Sequence, residues 1–294
     1  LTYGAAHIDA VELDPSIVKF VQEPEFADFI GRVYQHPKVT LINDEGRAFL
    51  RRQPLESYDI IQFVNNYTPV AIAAGALNLS ETFLLTKEAF IDYYRHLKPG
   101  GVLALHRGAS LRVALTAMAA LRDLGIDHPE KNLVIANGEW ETYEGFFLKK
   151  GEWTQAEVAA IENFLADKPK PGGLAFLWNP LAFSPAGNIY EQLISASPQE
   201  QAAQYTSLGV NLFPATDDRP FMEHYLQFGR TPLAPGLPGE FKKFNREKWR
   251  GLIPRGDFPY VAILVESAAL GLLFVGLPLL LWARSSFKTP GFLR

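Results

Sequence analysis

Short apolar runs alternate with stretches of helical periodicity through the first 150 residues of the chain. This alternation is typical of a parallel sheet with helices on both faces. It predicts strands at residues 8–13, 38–43, 58–64, 101–106, 132–136 and 144–149. It predicts helices at residues 15–22, 26–33, 45–52, 86–97 and 110–124. The last two strands are close enough in sequence to form an antiparallel pair.

The first residues of the chain have the pattern of a segment from inside an α/β domain and not of its first strand. Residues 1–6 are typical of the end of a helix, and residues 7–15 of a buried strand that ends in carboxylates. A nucleotide-binding α/β domain normally has one strand and a glycine-rich turn before that helix. We therefore expect the central first strand to be missing. The strands at 8–13 and 58–64 should then leave a gap or be forced together.

Residues 151–256 do not continue the alternation. Thr154 and Glu157 have the spacing of a capping box at the start of a helix of about ten residues. Segments rich in Pro, Gly and Asn follow, which predicts an extension and a loose tether at 229–258. The predicted organisation is an incomplete α/β domain at 1–150, an extension with tether at 151–256, a transmembrane helix at 257–284 and a tail at 285–294.

The membrane prediction depends on the apolar segment from Val261 to Trp282, whose only charge is Glu266. At about 1.5 Å per residue this segment is long enough to cross a hydrocarbon core, although a buried core helix is the alternative. The cations before it outnumber those after it, so the positive-inside rule places the N-terminal part in the cytoplasm. The preceding cations are Lys242, Lys243, Arg246, Lys248, Arg250 and Arg255, and the following ones are Arg284, Lys288 and Arg294.

The amino-acid composition argues against several kinds of partner and functional site. A net charge of −4 argues against a nucleic-acid partner, because such proteins are usually basic. The chain has no cysteine, which excludes disulfides, thiolate metal ligands and a cysteine nucleophile. Its six histidines are scattered without an i, i+4 pair on a predicted helix, so we predict no metal site.

Two clusters of polar residues follow predicted strands and are candidates for binding a nucleoside. Glu12 ends the first strand, where a carboxylate can accept both hydroxyls of an adenosine ribose. Asp44, Glu45 and Gly46 follow the second strand, where a side chain and a backbone N–H can bind adenine. One residue of register decides whether Asp44 or Glu45 faces the ligand. The alternative is a helix N-cap, with Asp44 capping and Arg47 solvated.

A family resemblance rests on motifs in a fixed order. Residues 11–15 read Val-Glu-Leu-Asp-Pro, 44–50 read Asp-Glu-Gly-Arg-Ala-Phe-Leu, 58–61 read Tyr-Asp-Ile-Ile, and 97–101 read Leu-Lys-Pro-Gly-Gly. They resemble the spermidine synthase branch of the class I S-adenosylmethionine-dependent methyltransferases. Residues 73–81 and 216–221 resemble, more narrowly, the membrane-embedded spermidine-synthase-like proteins of bacteria. The resemblance covers about residues 3–284 and implies a Rossmann-like sheet with S-adenosylmethionine as cofactor, or its decarboxylated form.

The chain departs from this family where polyamine aminopropyltransferases carry two acidic residues. Val64 and Tyr67 fall roughly at those positions, and a desolvated ammonium without a counter-charge is very costly. Asn65, Asn66 and Tyr67 are the candidate catalytic residues, since positioning alone supplies much of the rate of methyl transfer. Glu81 is a further catalytic candidate, as a base. His106 and Asp218 are alternative bases, although each of the three also has a purely structural interpretation.

The preferred hypothesis is therefore a membrane-tethered S-adenosylmethionine-dependent methyltransferase with a small-molecule or membrane-associated acceptor. Aminopropyl transfer from decarboxylated S-adenosylmethionine is the second hypothesis, and a non-catalytic sensor that regulates membrane helices is the third. An NAD-dependent oxidoreductase also fits Glu12 but is the weakest. We also expect the chain to bind S-adenosylmethionine poorly, since no glycine-turn N–H groups are present to hold the methionine moiety.

Overall fold

The structure is a computed structural model, and it describes residues 4–64, 83–107, 110–137, 144–166, 175–185, 187–208, 211–222 and 257–286. All six predicted strands are present. They are β1 (Ile8–Glu12), β2 (Val39–Asn43), β3 (Tyr58–Val64), β4 (Leu97–Arg107), β5 (Leu133–Asn137) and β6 (Glu144–Lys149). The five predicted helices are also present. They are α1 (Pro15–Phe20), α2 (Pro24–Phe29), α3 (Gly46–Arg51), α4 (Lys87–His96) and α5 (Ser110–Asp123).

The strands form two separate sheets. In the small sheet, β1 and β2 are parallel, with Glu12 opposite Asn43 at the carboxyl ends. The large sheet has the order β3-β4-β6-β5 and ends in β7 (Phe176–Trp178), a short strand that the sequence pattern did not predict. Only β3 and β4 are parallel in it, and β5 and β6 form the expected antiparallel pair. The result is a mixed α/β architecture.

Among the described residues, no backbone ladder joins β1 to β3, so each of these strands is an edge strand. This is the gap expected between them. A side-chain bond crosses it, because the hydroxyl of Tyr58 on β3 donates to Oδ2 of Asp9 on β1 at 2.9 Å. Burial and this bond to Asp9 both raise the pKa of Tyr58 well above its usual range.

The hydrophobic core lies on one face of the large sheet. Helices α4 and α5 cover that face, and alternate strand residues such as Leu103 and Phe146 are fully buried against Phe90 and Leu115. The opposite face is covered only in part, by a helix α6 (Gln155–Ala166) that packs through Val158. On that same face, Ile60 of β3 is 63% exposed. Sheets of α/β proteins are normally covered on both faces, so this surface lacks a neighbour within the described chain.

Helix α2 ends earlier than the predicted bound at residue 33. It stops at Phe29 because Gly31 and Arg32 adopt positive φ angles of 70° and 54°, which an α-helix cannot contain. The left-handed conformation reverses the chain towards β2. Of the apolar residues predicted to continue the helix, Ile30 lies in the turn, and Val33 begins a short 3₁₀-helix (Val33–Gln35).

Strand β4 begins earlier than predicted, at Leu97, which pairs with Tyr58 before the turn. Both glycines of that turn are required by its geometry. Gly100 has a φ of 80°. A Cβ on Gly101 would lie 2.9 Å from the carbonyl oxygen of Lys98 and 3.0 Å from that of Tyr58. The turn is thus structural.

The extension contains α6 and two helices that were not predicted, α7 (Ile189–Ile194) and α8 (Pro198–Leu208). The predicted capping box is confirmed, since the backbone N–H of Thr154 donates to Glu157 at 2.9 Å and the N–H of Glu157 donates back to Oγ1 of Thr154 at 3.4 Å. Helix α7 has a second capping box, formed by Asn188 and Glu191.

The C-terminal apolar segment is helical. It consists of α9 (Asp257–Gly271), a π-helical turn (Leu272–Gly276) and α10 (Leu277–Ser286). The stretch Leu264–Trp282 is long and apolar enough to cross a membrane, with a mean hydropathy of 2.1, and its side chains are exposed. An exposed apolar helix of this length is weak support for a membrane span, because length and composition are the only criteria that it meets.

Candidate functional site

The carboxyl end of the small sheet brings together two of the predicted residue clusters. The side-chain amide of Asn43 donates to the carbonyl oxygens of Glu12 (2.9 Å) and Leu13 (3.0 Å). The N–H of Asp44 donates to the same carbonyl of Glu12 at 3.0 Å. These bonds continue the β1–β2 ladder past the strand ends. Glu12 and the Asp44–Glu45 turn therefore lie side by side at one edge.

The carboxylate of Glu12 is oriented by the start of α1. Its Oε1 accepts the N–H of Asp14 at 2.8 Å, and Asp14 in turn caps α1 by accepting the N–H of Ser16 at 2.7 Å. Pro15 occupies the first turn of α1. Among the described residues, no hydrogen bond to Oε2 of Glu12 is found, so this oxygen can accept from a ligand.

Asp44 and Glu45 have different roles. Glu45 is the N-cap of α3, and its carboxylate accepts the N–H groups of Arg47 (2.9 Å) and Ala48 (2.7 Å). Asp44 accepts the N–H of Glu45 at 2.8 Å and forms an ion pair with Arg52. The prediction that Asp44 is the cap was wrong, because the helix starts one residue later. A side chain in the cap position is committed to the helix, which leaves Asp44 as the carboxylate better placed for a ligand.

Gly46 is the first residue of α3 and has open space where a Cβ would lie. Its N–H belongs to the first turn of a helix, where unpaired N–H groups and the helix dipole favour an electron-rich ligand. The first turn of α1, beside Glu12, favours an electron-rich ligand for the same reason. The edge thus offers carboxylates as acceptors next to backbone groups as donors, which suits a nucleoside.

The alternative interpretation placed Arg47 in solvent, and this was wrong. Arg47 is only 7% exposed, and its guanidinium lies between two carboxylates. Nε donates to Asp92 at 2.8 Å, while Nη1 and Nη2 donate to the two oxygens of Asp217 at 2.8 and 3.0 Å. Burial lowers the pKa of Arg47, but Asp217 and Asp92 outweigh it, so the group stays charged. Sequence alone gave one signal, since a cation in a first helical turn opposes the helix dipole and needs an acidic partner.

The predicted catalytic residues Asn65, Asn66, Tyr67 and Glu81 lie outside the described residues. The strand that precedes Asn65 in the sequence, β3, ends at Val64, which is opposite His106 of β4. His106 is exposed and lines an open cavity of about 350 Å³ on the partly covered face of the large sheet. Gln62, Ala104, Leu105, Gly145 and Phe147 complete its lining.

A buried carboxylate that the sequence did not single out lies at the same end of β4. Glu144 is opposite Arg107 in the β4–β6 ladder, and its side chain is only 5% exposed. It accepts the hydroxyl of Tyr190 at 2.7 Å and the N–H of Ser110 at 2.9 Å. Because Ser110 begins α5, the carboxylate is stabilised by a helix N-terminus. It faces the core and not the open cavity, which makes it a structural link between α5 and α7.

Comparison with known proteins finds solved structures at a low level of similarity. No family model matches the chain. A spermidine synthase from Thermotoga maritima is similar with 16% identity and a TM-score of 0.36, over 52% of this chain and 48% of that one. A spermidine synthase in complex with the transition state analogue AdoDATO gives 15% identity and a TM-score of 0.35, over 52% and 47%. A probable spermidine synthase from Corynebacterium glutamicum ATCC 13032 gives 17% and 0.42, over 64% and 61%.

The chain thus spans about half the length of the first two structures. Similarity at this level does not indicate a substrate or an activity.

Proposed function

We propose that this chain is the larger part of an S-adenosylmethionine-dependent transferase domain, and that the adenosine half of the cofactor binds at the carboxyl end of β1 and β2. The adjacency of Glu12 and Asp44 at that edge is the observation that carries the proposal. Ligands of open α/β sheets bind outside the carboxyl ends of the strands, where helix N-termini meet them. Both conditions hold at this edge.

The two carboxylates have complementary tasks in this arrangement. Oε2 of Glu12 accepts the ribose hydroxyls, since its Oε1 is already bonded to the N–H of Asp14. Asp44 accepts the adenine amino group, and the Asp44–Glu45–Gly46 backbone supplies donors to the ring. Both tasks require charged or strongly accepting oxygens, so amide substitution is expected to weaken binding.

Methyl transfer is the reaction that the residues after β3 favour. The positions at which polyamine-making relatives carry acids are Val64 and Tyr67 in this chain. Neutral Asn65, Asn66 and Tyr67 can orient an acceptor but cannot neutralise a cationic amine. Aminopropyl transfer from decarboxylated S-adenosylmethionine remains the alternative; the similar solved structures are named spermidine synthases, one of them in complex with the transition state analogue AdoDATO. The acceptor of a methyl group is a small or membrane-associated molecule.

We also propose that a parallel strand from outside the described residues completes the sheet between β1 and β3. Both strands present unpaired edges to one another, and the adjoining face of β3 is exposed at Ile60. A strand in this position fills the gap, and a glycine-rich turn at its carboxyl end would bind the methionine moiety. A coding sequence upstream of Leu1 that contains such a turn would support this proposal, and an upstream sequence without one would contradict it.

A membrane location completes the proposal. The Leu264–Trp282 helix spans the bilayer, and the cations at 242–255 keep the sheet domain in the cytoplasm. Resistance of the chain to alkaline carbonate extraction from bacterial membranes tests the span. Protease sensitivity of the sheet domain in inside-out vesicles, but not in right-side-out cells, tests the orientation.

Ligand-observed NMR on the detergent-solubilised chain tests the nucleoside site, because it detects the weak binding that we expect. 5′-Methylthioadenosine should give saturation transfer that guanosine does not compete away. Glu12→Gln should weaken it about tenfold, since a hydrogen bond to a charged group contributes roughly 1.5–3 kcal/mol. Glu25→Gln, an exposed carboxylate in α2 of the same part of the chain, is the matched control.

Equal binding of guanosine, or no effect of Glu12→Gln, would contradict the site. Binding without turnover of S-adenosylmethionine or its decarboxylated form, across a broad acceptor panel, would favour the sensor.

A further inference from the structure

Residues 211–222, which we call the strap, run across the N-terminal ends of three helices of the sheet domain. The N–H of Lys87, at the start of α4, donates to the carbonyl of Ala215 at 2.8 Å. Near the start of α5, the buried Arg112 donates to three strap carbonyls, those of Phe213 (2.9 Å), Phe221 (2.9 Å) and Met222 (2.6 Å). Helix N-termini of this domain lie at the carboxyl edge of the strands, so the strap follows the edge that holds the candidate site.

The third contact of the strap is Asp217, and it reaches α3. Besides its paired bonds to Arg47, Asp217 accepts the hydroxyl of Thr86 at 2.6 Å, and its N–H donates to Glu88 at 2.9 Å. Burial raises the pKa of the Asp217 carboxyl, but Arg47 and Thr86 lower it more, so the net pKa lies below its usual value and the group is ionised. A bidentate bond between ionised partners is directional as well as strong. Asp217 thus fixes both the position and the plane of the Arg47 guanidinium.

Arg47 connects this contact to the candidate site. Its backbone N–H is one of the two donors to the Glu45 cap, and it lies three residues from Asp44. A guanidinium that is 7% exposed tolerates the loss of a counter-charge badly, because a buried cation without sufficient compensation is unstable. If Asp217 loses its charge, Arg47 keeps Asp92 and the carbonyl oxygen of Phe83 as partners, and we expect its guanidinium to shift towards Asp92 or towards solvent. Either movement pulls on the first turn of α3 and on the Asp44–Glu45 turn before it.

We propose that Asp217 is a positioning residue of the nucleoside site. Through Arg47 it holds the Asp44–Glu45–Gly46 turn in its binding geometry, so the docking of the strap and the occupancy of the site stabilise one another. Such coupling is reciprocal by thermodynamic linkage. The coupling of the strap to ligand binding rests on the proposed function. The control of the turn by Asp217 does not depend on it.

Hydrogen–deuterium exchange on the full chain in detergent tests the control of the turn without any ligand. In Asp217→Asn, the amides of Arg47 and Ala48, which donate to the Glu45 cap, should exchange about tenfold faster, because the cap loses its support, while β4 and β6 keep their protection. Asp218→Asn is the matched control, since Asp218 is the exposed neighbour and its carboxylate pairs with none of the described residues. Unchanged exchange in Asp217→Asn, or the same change in both variants, would overturn the inference.

Asp217→Asn could also loosen the whole domain, and exchange in β4 and β6 would then rise as well. Asp217→Glu resolves this case because it retains the charge on a longer side chain. Restored protection of the strands, together with turn amides that still exchange faster than in the wild type, would support the positioning role. If the exchange rates of the turn and of the strands change together in both variants, Asp217 is a general stabilising residue. This result would overturn its positioning role.

The part of the inference that concerns ligand binding is tested with 5′-methylthioadenosine as the probe. Binding of the probe should slow exchange in both residues 44–49 and the strap, and Asp217→Asn should weaken binding about tenfold and abolish the effect on the strap. Binding to the wild type and to Asp217→Asn with equal affinity would overturn the coupling. No binding to the wild type would instead defeat the proposed function, and the exchange experiment without ligand would still decide the role of Asp217.

Discussion

The two sheets are built from the same alternation of apolar and polar residues, but only one of them has a core. In the large sheet, Leu103 and Phe146 are fully buried, since α4 and α5 cover their face. In the small sheet every residue of β1 is only partly buried, and Phe29 of the adjoining α2 is 85% exposed. An amphipathic pattern thus produces burial only where neighbouring elements cover the face and pair the edge. Among the described residues, the small sheet is unpaired at both of its outer edges, at β1 and at β2.

Side-chain truncation should give the largest difference between the two regions. Phe90 is fully buried between α4 and the large sheet, so Phe90→Ala should lower the free energy of unfolding by about 3–5 kcal/mol. Phe29→Ala should change it by less than about 0.5 kcal/mol, because the ring is in contact with solvent. Urea unfolding of the detergent-solubilised chain measures both.

A large loss of stability in Phe29→Ala would show that the surface of α2 is covered in the protein, and the contrast between the two regions would then fail.

Glycine substitution should give a smaller difference. A Cβ on Gly101, in β4 of the large sheet, would lie within 3.1 Å of three backbone carbonyl oxygens, which cannot yield without moving β3 or the turn. Gly101→Ala should therefore cost about 1–3 kcal/mol. Gly46→Ala, at the small sheet, has open space and an ordinary φ, so it should be neutral or should stabilise the chain by about 0.5 kcal/mol.

Thermal unfolding of the two alanine variants against the wild type gives the comparison. If Gly101→Ala were as stable as Gly46→Ala, the close approach at the start of β4 would not constrain the large sheet.

The smallest expected effect concerns α6, which covers part of the second face of the large sheet. The hydrogen bond from Lys149 and those from Thr154 lower the pKa of Glu157 from 4.5 to about 2. Because the folded pKa lies below the unfolded one, this contribution to stability is present above pH 4.5 and is lost as the pH falls towards 2. The Glu157 side chain is 40% exposed, so solvent screening limits the contribution to less than about 1 kcal/mol.

Glu157→Gln should therefore destabilise the chain slightly at neutral pH, and the difference from the wild type should vanish in acid. Urea unfolding as a function of pH measures it. Glu200→Gln is the comparison, because Glu200 forms the same type of capping box with Ser197 but has no lysine partner among the described residues. A Glu157→Gln difference that grows in acid would contradict the assigned cause.

The strands and helices of the first 150 residues could be predicted because their periodicity is a local property. Their ends were less predictable where backbone conformation decides them, as at Gly31 after α2 and at Leu97 before the glycine turn. In the extension, β7 and α7 are short and lie among Pro-, Gly- and Asn-rich segments, and α8 is an 11-residue helix that the pattern did not reveal. They gain their order from packing against the large sheet, as Trp178 and Tyr190 do, so periodicity carried no signal for them.

For the candidate site, the sequence located the carboxylates but not their partners. Glu12 and Asp44 were identified from their positions after two parallel strands, and the structure places them at one edge. The choice of Glu45 as the helix cap depends on a register of one residue. Asp217 could not be assigned to Arg47, because 170 residues separate them along the chain.

The sequence by itself determined which segments are strands and helices, the long apolar stretch near the C-terminus and the presence of acidic residues at strand ends. Each of these follows from side-chain spacing along a single segment. Only the tertiary structure decided that β6 is inserted between β4 and β5, that β1 and β3 have unpaired edges, and that the strap binds Arg47. Those features depend on contacts between distant segments, whose free energy appears only when burial, charge pairing and backbone bonding are satisfied together.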